Sequence, residues 1–118
     1  MSLDLSTFKP GSVDDLVKAS TGEISTLGEK WWTANSSAVE GYVRSLAQAA
    51  KDTAESLAKG EMPKEEAKQI LQMQKTAFET SVKFGEYMTM ALAQNVVDKA
   101  MQIVGAAIKN LTGIDLTS

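Results

Sequence analysis

Residues able to carry out chemistry are scarce in this chain. Its 118 residues include no histidine and no cysteine. That removes thiolate nucleophiles, disulfides, Cys/His zinc sites and every triad that needs an imidazole base. Ser6-Thr7-Phe8-Lys9 has the Ser-x-x-Lys spacing of serine–lysine acylation. Neither Ser-Asp-Asn nor Lys-Thr-Gly follows it, so the other halves of that machinery are missing. Glu65 and Glu66 come directly after Pro63 and Lys64, where acids complement the positive end of a starting helix. Asp52 and Glu55 read as a solvated face, and Glu79 with Lys83 is an ordinary i,i+4 pair. A dinuclear metal site in a helical bundle would need Glu-x-x-His. The eight glycines are dispersed and form no phosphate-cradling loop. The residue inventory predicts a protein that is not an enzyme, with no cofactor, metal or small-molecule substrate.

Charge narrows the partners. Twelve basic and fifteen acidic residues give a net charge of −3. Neither half of the chain is basic, so nucleic acid is not an expected partner. The N-terminal Met1-Ser2-Leu3-Asp4-Leu5 lacks the basic and apolar regions of a signal peptide. The most apolar stretch, Tyr87 to Ile108, is split by Asp98 and Lys99 and falls short of the roughly 20 apolar residues a membrane span needs. The expected location is the cytoplasm, or outside it by a leaderless export route.

The elements that would position any site are all helical. Aromatic residues make up only 6% of the chain, and no period-two alternation is sustained anywhere. Val13, Leu16, Val17, Ile24, Leu27, Trp31, Ala38, Tyr42, Leu46, Ala49, Ala50, Thr53 and Leu57 fall near one 3.6-residue stripe. Ala67, Ile70, Leu71, Gln74, Phe78, Ser81, Val82, Gly85, Met88, Leu92, Val96, Ala100, Ile103, Val104, Ala107 and Leu111 form a second. The two prolines, at 10 and 63, bound these regions. Ser12 is a candidate N-cap, Gly60 a candidate C′ residue, and Gly113 a stop. Ser20-Thr21-Gly22-Glu23 and Ser37-Ala38-Val39-Glu40 have the capping-box pattern, so the first region is continuous, kinked or broken near 20 and 33–37.

These readings predict an all-α chain: an irregular lead over 1–11, a helical region over 12–59, a turn at 60–63 and a helix over 64–111. A helix of about 47 residues is roughly 70 Å long, whereas a compact chain of this size has a radius of gyration near 13 Å. Either the second helix breaks near Gly85, or the molecule is an elongated antiparallel hairpin. With no proline or capping box near Gly85, the hairpin is the expectation.

One hairpin cannot hide all the apolar surface of the second helix. Met88, Met90, Leu92, Val96, Val97, Met101, Ile103, Val104 and Ile108 go well round its cylinder, and a helix apolar on most sides expects burial on most sides. The direct inference is self-association into a multi-helix oligomer, contact with a protein partner, or both. Trp31 and Trp32 point about 100° apart on a helix, so either one packs at the hairpin end while the other is a candidate anchor for a partner, or both are core residues. The recurrence of Ala50, Ala54 and Ala58 suits close approach of helix axes.

Two resemblances accompany this reading. The segment from Val96-Val97-Asp98-Lys99-Ala100 through Leu111 resembles the terminal helix of export-machine rod and needle subunits, which assemble through that helix. Pro63-Lys64-Glu65-Glu66-Ala67 leading into Leu71-Gln72 is similar in composition to granule-coating phasins. Hairpins of the WxG type are similar in length, but they place Trp-x-Gly at the turn, where this chain has Lys59-Gly60-Glu61-Met62-Pro63.

The expected function is therefore structural: a non-enzymatic protein that self-associates through its apolar C-terminal helix, as a subunit of a larger bacterial assembly such as an export rod or needle. The alternative is an amphipathic, phasin-like coat that opens over a lipid or polymer surface. Its polar face lacks the Lys/Arg enrichment that anionic membranes prefer, which weighs against that alternative.

Overall fold

The computed structural model describes residues 3–116. Among them, every regular element is a helix: α1 (Val13–Ile24), α2 (Glu29–Ala58), α3 (Lys64–Val82) and α4 (Met90–Thr112). The all-α expectation holds. The two-helix hairpin does not, because both long helical regions are broken.

The first break lies at 25–28 rather than near 20 or 33–37. Helix α1 begins at Ser12, whose Oγ accepts from the Asp15 N–H, with Asp14 and Asp15 in the first turn. It runs straight through Ser20 and Thr21. Past Ile24, two side chains turn back on the helix: Ser25 Oγ donates to Gly22 O and Thr26 Oγ1 to Glu23 O. Such local bonds offer the backbone an exit from the helix. Gly28 then caps α2 in an extended conformation. A Cβ at Gly28 would meet Leu92 Cδ2 at 2.9 Å, so the glycine lets α2 start hard against α4. From there α2 is continuous for 30 residues. Asn35, expected to be a weak point, is accommodated by donating from Nδ2 to Trp31 O one turn back.

Helix α2 ends in a left-handed glycine. Gly60 has φ +70°, the Glu61 N–H donates to Ser56 O and the Gly60 N–H to Leu57 O. These bonds close the last turn in the Schellman manner. Pro63 caps α3, with Glu65 and Glu66 in its first turn.

The second break is the decisive one. Helix α3 stops at Val82, and α4 starts again at Met90. Thr89 is the N-cap of α4, its Oγ1 accepting from the Leu92 N–H. Gly113, in the left-handed region at φ +78°, ends α4, and its N–H donates to Lys109 O.

Breaking both regions lets four helices share one core. Helix α2 contacts α1, α3 and α4, and α4 contacts α1, α2 and α3. Helices α2 and α4 are therefore the central pair, with α1 and α3 on opposite flanks. The radius of gyration is 13.8 Å and the extents are 42 × 28 × 22 Å. A helix of 30 residues is about 45 Å long, so α2 sets the long dimension by itself.

This arrangement accounts for the all-round apolar character of α4. It touches three helices, and the N-terminal lead adds further cover: Asn110 Nδ2 donates to both Leu5 O and Phe8 O. Leu3, Leu5 and Phe8 pack against the core, and Leu116 is buried beyond the other end of α4. A helix apolar on most sides does find burial on most sides. The surfaces that bury it belong to its own chain, which removes the excess from which an oligomer was inferred.

Candidate functional site

The residues expected at a partner interface separate into three groups. Trp31, Val96, Val97, Ile103, Val104 and Ile108 are buried in the core of the single chain. Trp32, Met88, Leu92 and Met101 are half-buried and pack against that core. Met90 is 92% exposed. The alternation of Trp31 and Trp32 follows from their angular offset: Trp31 turns fully inward, and its neighbour lies tilted across it with ring centroids 6.0 Å apart.

Half of the large hydrophobic side chains exposed among the described residues lie at the corner between α3 and α4. Six large hydrophobic side chains are exposed among the described residues, and Phe84 (81%), Tyr87 (61%) and Met90 fall within seven consecutive positions. Phe84 and Tyr87 were not among the expected site residues. The signal that could have found them is phase. The apolar stripe runs through Val82, Gly85 and Met88, and the two aromatics stand off it on either side of the glycine.

The corner is built to hold these side chains out. After Val82, the Lys83 N–H donates to Glu79 O and the Gly85 N–H to Val82 O, so the last turn tightens as the helix ends. The Met88 N–H then donates to Gly85 O, forming a turn. Tyr87 is the one non-glycine residue with positive φ among those described, at 61°. That left-handed conformation costs an ordinary side chain about 1–2 kcal/mol. The fold does not recover this by burying the ring, which stays largely in solvent. Asn35 fastens the connector from outside α3 and α4, its Nδ2 donating to Glu86 O as well as to Trp31 O. Lys30 Nζ lies 5.4 Å from the centre of the Tyr87 ring, and Lys83 Nζ 5.3 Å from that of Phe84. Both are within cation–π range.

Several clefts open on the surface of the described residues. One of about 260 Å³ lies between the start of α1 and the ends of α2 and α4, lined by Pro10, Leu16, Ala50, Ala54, Ile108 and Leu111 among others. The alanine recurrence on α2 thus opens onto a cleft as well as allowing close packing. A second groove, of about 240 Å³, runs beside the corner between α2 and the α3–α4 connector. No group of three or more Asp or Glu side chains among the described residues could hold a metal ion. No described helix is long and apolar enough to cross a membrane.

The charged groups are solvent-facing. The Arg44 guanidinium donates to Asp14 Oδ1 at 2.7 Å, joining α2 to α1. That hydrogen bond, with the charge of Arg44, holds the Asp14 carboxyl below its ordinary value of 3.8. Asp4 is lowered likewise by hydrogen bonds from the Ser6 hydroxyl and N–H. Neither carboxyl lies at the corner.

Comparison of the chain with family models, curated proteins and solved structures finds no match.

Proposed function

We propose that the chain is a non-enzymatic protein-contact module that self-associates, and that its contact surface is the α3–α4 corner. The observation that carries this reading is the outward display of Phe84 and Tyr87 on the α3–α4 connector and of Met90 at the start of α4, with most of the remaining apolar surface of α4 buried by the fold. Exposed apolar residues scattered singly need no explanation, but three within seven positions are a concentration that suits an interaction surface. Aromatic and methionine side chains are the types enriched there. The left-handed Tyr87 supports the same reading: backbone strain at a residue that contributes little burial is a feature held for something other than stability.

Self-association is retained from the sequence, with its surface moved from the body of α4 to the corner at its start. Light scattering across a concentration series tests it. The full chain is expected to exceed the monomer mass of 12.7 kDa as concentration rises. The triple variant Phe84→Ser, Tyr87→Ser, Met90→Ser should stay monomeric with the helical circular dichroism of the parent, since all three positions are exposed. A parent chain that remains monomeric throughout, or a triple variant that associates as strongly as the parent, defeats the proposal.

A further inference from the structure

Oxidation finds few targets in this chain. It has no cysteine, so the methionine thioethers are its oxidisable sulfur atoms. Five methionines lie among the described residues, and the fold sorts them. Met62, Met88 and Met101 are half-buried and pack against the core. Met73 and Met90 stand in solvent, at 68% and 92% exposure. Met90 is the most exposed of the large hydrophobic side chains described.

The two exposed thioethers differ in their surroundings. Met90 opens α4, next to the connector that displays Phe84 and Tyr87. Met73 lies on α3 nine residues before its end, roughly 14 Å back along the axis. Sulfoxidation turns a flexible apolar side chain into a polar one. At Met90 the change costs the fold little, because the side chain buries almost nothing there. A contact surface loses much more, because a polar group taken out of water without a partner is penalised.

We propose that Met90 is a reversible oxidation site, and that its sulfoxide releases the contact made by the α3–α4 corner. The oxidant is a peroxide. The thioether sulfur attacks one peroxide oxygen, the O–O bond breaks and an S–O bond forms. The proton on the transferred oxygen passes to the departing one, which leaves as water. Sulfur gives up two electrons and the peroxide takes them. A methionine sulfoxide reductase reverses the change: two thiols become a disulfide, and the oxygen leaves as water. The proposal rests on the corner being a self-contact surface and adds a means of switching it. Oxidation acts on the separate chain, in which Met90 is open to solvent.

The test treats the full chain with hydrogen peroxide at a dilution where it is monomeric, until Met90 is fully converted. Site-resolved mass spectrometry should find Met90 and Met73 oxidised roughly fivefold faster than Met88 or Met101. Once concentrated, the treated chain should associate at least about fivefold more weakly than the untreated one, with the same helical circular dichroism. Reductase treatment should restore association. Met73→Leu should lose association on treatment as the parent does. Met90→Leu, whatever its own affinity, should associate equally before and after treatment. The proposal is overturned if Met90 oxidises no faster than Met88 or Met101, or if the treated parent associates as strongly as the untreated one. It is overturned equally if treatment removes the helical signal, or if Met90→Leu is as sensitive to peroxide as the parent. Oxidation rates are read on the dilute monomer and association by light scattering, so the two proposals fail separately. An untreated chain that stays monomeric defeats the contact surface and the switch with it, while the rates still decide the oxidation site.

Discussion

Ile103→Ala separates a helix that completes its own core from a helix that assembles with others. Ile103 lies on α4 and is fully buried within the single chain. The substitution removes three carbons, worth about 0.8 kcal/mol each in transfer free energy. Its neighbours belong to a core shared by all four helices, so collapse around the void is incomplete. The cavity left behind brings the expected loss to about 3–4 kcal/mol, within the 2–5 kcal/mol seen for such truncations. A domain of this size has a total stability of about 6–18 kcal/mol, so the variant still folds and the difference can be measured. Urea unfolding followed by circular dichroism gives the loss, repeated over a roughly hundredfold range of protein concentration. The difference between variant and parent should be the same at every concentration, because the contacts removed are intramolecular. Met90→Ala, at the exposed start of the same helix, should stay within about 0.5 kcal/mol of the parent in the dilute samples. The reasoning is refuted if Ile103→Ala costs less than about 1 kcal/mol. It is refuted equally if the loss shrinks on dilution, since that is the behaviour of a residue buried between chains.

Asn110→Ala deletes both hydrogen bonds that hold the lead to α4, leaving Leu5 O and Phe8 O without their donor. The expected cost is about 1–3 kcal/mol. Hydrogen exchange should show faster exchange in the lead at residues 3–9, with the middle of α2 still protected. Uniform acceleration throughout the chain would mean that the lead is not a separately held element. The Asp14–Arg44 pair predicts a pH effect of definite sign. The folded-state carboxyl is lowered from 3.8, so its contribution to stability is complete above that value. It is lost as pH falls through the lowered folded pKa. Arg44→Gln should therefore melt below the parent at neutral pH by a small margin, and the two should converge in strong acid. High salt should also narrow the gap, because both partners are exposed. A gap that widens on acidification would contradict this assignment.

Much of the local structure was legible without coordinates because it depends on near neighbours in the chain. Ser12 caps α1 through the N–H three residues on, and Gly60 and Gly113 take left-handed conformations that other residues resist. Helical periodicity extended from Val13 to Leu111 because all four helices bury a stripe against the same core. For the same reason periodicity could not reveal the breaks: Val82, Gly85 and Met88 stay in phase across a connector that is not regular helix. Thr89 was the one local sign of the new start, a single capping hydroxyl with no acidic partner. Length carried the remaining warning, since a helix of about 70 Å and a compact chain are incompatible.

The candidate site divides along the same line. The absence of histidine and cysteine bounds the available chemistry before any fold is known, because no arrangement of the chain can supply a missing side chain. The apolar excess of α4 is likewise a property of the chain, and it correctly demands burial on several sides. Which surfaces provide that burial is not encoded in periodicity, which records the angle of a side chain around one helix and nothing of what faces it. Only the packing of α4 against α1, α2, α3 and the lead decided that Val96, Val97, Ile103, Val104 and Ile108 are interior. The same packing left Phe84, Tyr87 and Met90 outside and brought Asn35 and Trp31 of α2 against Gly85, about fifty positions away in the chain. That juxtaposition exists only once α2 and the connector between α3 and α4 are packed together.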